Sequence, residues 1–74
     1  MTLTFKRGKA RIENSEAVVI IDQPKRGNHK ARLILNGGIK CSFMFNLSPE
    51  LIRERSEAEL LEALIEAGND ILNS

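Results

Sequence analysis

The apolar residues of this chain change their period once, and that change limits the folds open to it. Through the first 46 residues they alternate with polar ones, the two-residue period of a strand with one buried face; from Pro49 onward they recur at helical spacing. The junction is Asn46-Leu47-Ser48-Pro49, a run of turn and cap residues. The element order reads β-β-β-β-α. An antiparallel four-stranded β-meander with a C-terminal amphipathic helix on one face is the expected α+β architecture, because a half-apolar sheet and an apolar helix stripe must bury each other. With 74 residues, 42% of them hydrophobic, residues 1–74 make a single domain. The net stability of so small a core is about 3–5 kcal/mol.

The strand pattern sets expectations for both hairpins. A two-residue loop at Asn14-Ser15 would pair Glu13 with Glu16, Ile12 with Ala17 and Ala10 with Val19. In the second hairpin a Gly37-Gly38 loop would set Leu33 opposite Ser42 and mix the two faces. A three-residue loop at 36–38 keeps them apart, pairing Leu35 with Ile39, Leu33 with Cys41 and Ala31 with Phe43. Pro24 to Asn28 forms the connection between the hairpins, and the third strand runs over about 29–35. Leu3 and Phe5 have the opposite parity to Ala10 and Ile12, which predicts a bulge at Gly8 in a long first strand.

Two helix starts follow the strands. Ser48-Pro49-Glu50 reads as an N-cap, a first-turn proline and a first-turn acid, and Ser56-Glu57-Ala58-Glu59 as a capping box. One unbroken helix would place Leu51 and Ile52 on the side of Glu59, Glu62, Glu66 and Asp70. A short helical turn over 49–55, a break near Ser56 and a main helix over 57–72 are therefore expected. The predicted buried stripe is Leu60, Leu61, Leu64, Ile65, Gly68, Ile71 and Leu72.

Chemistry is sparsely represented. Catalysis needs a nucleophile with a base, paired carboxylates in a cleft or a metal, and the chain holds one histidine, His29, and one cysteine, Cys41. Cys41 is expected as a buried, inert thiol and His29 as an ordinary polar residue at a strand start. Two such residues cannot complete a zinc site, and the glutamates are spaced like a solvated helix face. The expectation is a protein without enzymatic activity, cofactor or metal. A single cysteine rules out an intramolecular disulfide. With no apolar run at the start and no stretch long enough to span a bilayer, a cytoplasmic protein that avoids membranes is expected.

The charge is uneven. Residues 1–40 carry nine Lys/Arg against three Asp/Glu, a formal +6, and residues 41–74 carry two against seven, a formal −5. With the core face assigned, the opposite sheet face holds Val18, Ile20, Ile34 and Met44 in its centre and Lys9, Arg11, Lys30, Arg32, Lys40 and Ser42 around it. β-Branched residues favour strands on either face, yet a small domain with an apolar patch rimmed by charge usually presents a binding surface. Lys9, Arg11, Val18, Ile20, Lys25, Arg26, Arg32, Ile34, Lys40 and Met44 are the candidate contact residues. A protein partner fits the apolar centre. Nucleic acid is the alternative, with Lys6, Arg7, Lys9, Arg11, Lys25, Arg26 and Arg32 meeting phosphates, though without Trp or Tyr for stacking on single strands. A homodimer through the same face is the third reading.

In compact size and in its layout of a meander followed by an acidic helix, the chain resembles small phage-encoded inhibitor proteins, anti-CRISPR proteins among them. The likeness is one of size and layout. It implies a regulator or inhibitor that acts by occluding a larger machine, and it assigns no residue a role.

Overall fold

The computed structural model describes residues 3–36 and 41–74. Its strands are β1 (Lys9–Glu13), β2 (Ala17–Asp22), β3 (His29–Leu35) and β4 (Cys41–Leu47), followed by helices α1 (Pro49–Glu54) and α2 (Glu57–Asn73). The strands form one antiparallel sheet in the order β1-β2-β3-β4, with the helices after it, as the change of period predicts. Ala10 and Ile12 of β1, Ala17, Val19 and Ile21 of β2, and Ala31 and Leu33 of β3 are buried and join Leu60, Leu61, Leu64 and Ile65 of α2 in a single core, to which β4 adds buried Leu47 and partly buried Phe43 and Phe45.

Both hairpin registers differ from expectation by two residues. In the first, Glu13 pairs with Val18, Ile12 with Val19 and Ala10 with Ile21, so the turn is Ser15-Glu16 rather than Asn14-Ser15. Asn14 decides this. Its Oδ1 accepts from the backbone N–H groups of Glu16 (2.7 Å) and Ala17 (3.0 Å), an Asx-type turn. The observed register also avoids setting Glu13 opposite Glu16 and places Lys9 opposite Asp22.

In the second hairpin Leu35 pairs with Cys41, Leu33 with Phe43 and Ala31 with Phe45, in place of the three-residue loop. The longer connection carries Leu47 into the sheet opposite His29, where it is buried. Burying a leucine contributes about 1.5–3 kcal/mol, whereas two more loop residues cost well under about 1 kcal/mol. Gly37 to Lys40, which include the glycine turn, the Ile39 partner and the rim charge Lys40, lie outside the described residues, and the Cys41 side chain lies outside the described ones too. A slip of two preserves which face each residue takes.

The start of β1 is the third correction. Gly8 is not a bulge in a long strand. Arg7 (φ 54°) and Gly8 (φ 79°) both adopt left-handed backbone, and Lys6 and Lys9 exchange backbone hydrogen bonds of 2.7 and 3.1 Å across them. Two positive φ angles in a two-residue loop make a reversal of the I′ kind, which glycine at the second position permits. Residues 3–5 are thereby folded back. Leu3 enters the core, and the Phe5 ring stacks on His29 with centroids 5.6 Å apart.

The helices break where expected. Ser48 Oγ caps α1 by accepting from Leu51 N–H at 3.1 Å; Arg55 and Ser56 are extended, and Ser56 starts α2. Ser56 Oγ accepts from Glu59 N–H at 3.2 Å while the Glu59 carboxylate accepts from Ser56 N–H at 3.1 Å. This capping box holds the Glu59 carboxyl below its ordinary value of 4.5, chiefly through the Ser56 backbone N–H, then the Ser56 side chain and, more weakly, the Arg55 charge. A lowered folded pKa stabilises the fold fully above 4.5, and that contribution is lost as pH falls below 4.5 through the folded value. Thermal melts in acid should therefore show the parent protein losing more stability than Glu59→Gln, and equal losses would sink this account. Ser56→Ala should lower stability by about 1 kcal/mol near neutral pH.

α2 crosses the strands. Near its start Ala58 and Leu61 line a hollow together with Ile12 of β1, and Gly68 lies against Leu33 and Phe43 of β3 and β4. Ile71 and Leu72, expected in the buried stripe, are 50% and 51% exposed. The reason is length: 17 helical residues extend about 25 Å, and four strands span only about 14 Å. The last turn overruns the sheet.

Candidate interaction face

The registers turn the outer sheet face into a grid of cross-strand rows. Glu13, Val18, Ile34 and Ser42 form one row, and Arg11, Ile20, Arg32 and Met44 the next. Beyond them Lys9 stands opposite Asp22, and Lys30 opposite Asn46. Of the four apolar residues expected at the centre, Met44 is 56% and Ile34 37% exposed. Val18 and Ile20 are half-buried on β2, where Val18 stands between Glu13 and Ile34 and Ile20 between Arg11 and Arg32. The accessible apolar surface is thus on the β3–β4 side.

The cations are not equivalent. Arg11 is engaged by Glu13, two residues along the same strand, with Nε 3.3 Å from Oε1. Such an exposed pair contributes at most about 1 kcal/mol, but it removes Arg11 as a free charge. Lys9, Lys30 and Arg32 form no salt bridge among the described residues, and with Ile20, Asp22 and Met44 they line a shallow depression of about 160 Å³. Arg32 lies between Ile20 and Met44 in its row, and among the described residues no acid forms a salt bridge with it.

Lys25 and Arg26 sit outside this grid, in the loop between β2 and β3. The fold brings that loop against the first turn: Gln23 N–H donates to Gly8 C=O at 2.8 Å. Lys6, Arg7, Lys9, Lys25, Arg26 and Lys30 consequently gather at one end of the sheet. Sequence reading names these cations but cannot bring the two loops together, because only the β1–β2 register does so. The Glu59, Glu62, Glu66 and Asp70 stripe is exposed on α2, which lies on the other side of the sheet. The two signs of charge therefore occupy opposite layers.

No protein-family model, curated protein or solved structure matches the chain. Chemistry must be read from the side chains alone. Among the described residues no polar or charged side chain is buried, and no three His, Cys, Asp or Glu side chains group to hold a metal. His29 Nδ1 lies 2.8 Å from the Asp22 carbonyl oxygen and its ring stacks on Phe5, so backbone and core occupy it. A larger hollow of about 350 Å³ lies between β1 and the start of α2, lined by the exposed carboxylates of Glu13, Glu57 and Glu62 with Arg11. No described helix is long and apolar enough to cross a membrane.

Proposed function

We propose that this chain is a small non-enzymatic binding protein of the cytoplasm that regulates or inhibits a larger protein by docking on it with the outer sheet face. In its most concrete form it is an inhibitor of the small phage-encoded kind. The observation that carries the reading is the contiguity of exposed Met44 and Ile34 with Arg32, Lys30 and Lys9, cations without salt-bridge partners among the described residues. The apolar pair supplies affinity when desolvated, and the cations select an acidic rim on the partner and speed encounter. A photo-crosslinking side chain at Met44 should give adducts with a protein other than this chain in the native cell. The same group at Glu62, on the opposite layer, should not. Arg32→Glu should abolish the adducts, and Met44→Asp should weaken the isolated complex at least tenfold, about 1.4 kcal/mol. Adducts from Glu62 alone would overturn the assignment.

The basic end of the sheet favours a second reading, contact with nucleic-acid phosphates through Lys6, Arg7, Lys25 and Arg26. Phosphate neutralisation makes affinity fall steeply with salt. Duplex or single-strand binding that is weak and insensitive to salt removes this reading, and nucleic-acid adducts from Met44 would place it first.

A further inference from the structure

The two edges of the sheet are unlike. β1 carries Lys9, Arg11 and Glu13 on its outward positions, and charge of this kind blocks edge-to-edge pairing. β4, Cys-Ser-Phe-Met-Phe-Asn-Leu, holds no charge, proline or glycine in seven residues, and among the described residues its far side has no strand partner. Strands left open and uncharged are templates for pairing with another chain.

The order of residues in β4 names the partner. Read outward from Met44, the strand repeats its chemistry in both directions: Phe43 and Phe45, then Ser42 and Asn46. Antiparallel pairing about a two-fold axis at Met44 sets Met44 opposite its own copy, Phe43 opposite Phe45 and Ser42 opposite Asn46, like beside like in every row. A register shifted by one residue would set core-side positions opposite outer-face positions and is excluded. Nothing in the strand opposes like charge to like charge.

The surroundings agree. Phe43, Phe45 and Leu35 are only partly buried, so the core side of this edge is incompletely covered. α2 passes over Leu33 and Phe43 at Gly68, and one further turn carries exposed Ile71 and Leu72 toward the β4 side. We propose that β4 is a homodimerisation edge: two copies of this chain join through antiparallel β4 strands about Met44 into one eight-stranded sheet, with the last turn of each α2 covering the seam. The outer faces stay free and become contiguous, so the inference stands whether or not the proposed docking function does.

Disulfide trapping tests the geometry. In a Cys41→Ser background, Met44→Cys would lie across the axis from its own copy at a Cα separation of about 4.5–5.5 Å, within disulfide reach. Ile34→Cys would stand three strand spacings across the sheet and four residues along it from its copy, about 20 Å away, and out of reach. The expected result is rapid crosslinking of Met44→Cys to twice the 8.3 kDa chain mass with none for Ile34→Cys. In the uncrosslinked protein, light scattering should show the dimer, and the Ser42→Lys, Asn46→Lys pair should raise its dissociation constant at least about tenfold, because each lysine then faces another. A monomer at all concentrations overturns the proposal. So does crosslinking of Ile34→Cys, which means the outer faces pack together, and so does a dimer indifferent to the two lysines.

Discussion

Leu33→Ala is expected to leave the chain largely unfolded at room temperature. Leu33 is 0% exposed at the middle of the sheet, paired with Val19 on one side and Phe43 on the other, and it meets α2 at Gly68. Truncating a leucine in such a position costs about 2–5 kcal/mol, from lost transfer energy and the cavity left behind. The whole domain has about 3–5 kcal/mol to lose. The hole is not readily closed, because Val19 and Phe43 are held in the ladder and α2 is anchored in the core by Leu60, Leu61, Leu64 and Ile65. Urea titration followed by circular dichroism, with protein concentration fixed so that any association acts equally, should show no native baseline or a sharply lowered midpoint. Arg32→Ala, one residue away on the exposed face, should move the midpoint by no more than about 0.5 kcal/mol. Equal effects of the two variants would refute this placement of the core.

Gly68→Val is expected to cost about 2–3 kcal/mol, and Gly68→Ala about 1 kcal/mol, against the direction of helix propensity. Exposed in a helix, a change from glycine to alanine stabilises by about 1 kcal/mol. Here the added Cβ would stand 2.6 Å from Leu33 Cδ2 and 3.4 Å from Phe43 Cδ2. Leu33 Cδ2 ends a flexible side chain, but a fully buried leucine has no space to swing into, so α2 must lift from the sheet. Overpacking of this kind costs about 1–3 kcal/mol. Valine adds two more carbons at the same point and less propensity gain. Because the clash is with one methyl group, Leu33→Val should partly rescue Gly68→Ala, and a double-mutant cycle should return a coupling of at least about 0.5 kcal/mol. Additive losses would show that the helix approaches the sheet elsewhere.

Leu33 and Gly68 were both legible as core positions, and so was most of the outer face. Alternation placed Arg32, Ile34 and Met44 outward and Ala31 and Leu33 inward, and the two serine caps placed the helix break. These signals survive because they are local. The two hairpins show the limit of such reading: each register slipped by two, and each slip left the face assignments untouched. For the outer face this means that which described residues it holds was readable and their arrangement was not. The placement of Arg32 between Ile20 and Met44, the capture of Arg11 by Glu13 and the meeting of the two basic loops all depend on pairings across strands.

By itself, the order of residues determined the fold class, the sidedness of the sheet, the ends of both helices and the self-matching pattern of β4. Each is set by neighbours within a few positions, through side-chain period, capping hydrogen bonds and strand chemistry. The tertiary structure alone decided the registers, the reversal at Arg7-Gly8, the half-burial of Val18 and Ile20 and the exposure of Ile71 and Leu72. Those outcomes come from comparing energies between distant residues. The Asn14 hydrogen bonds and the burial of Leu47 fixed the pairings, and the mismatch between a helix of about 25 Å and a sheet about 14 Å wide left the last apolar turn without a floor.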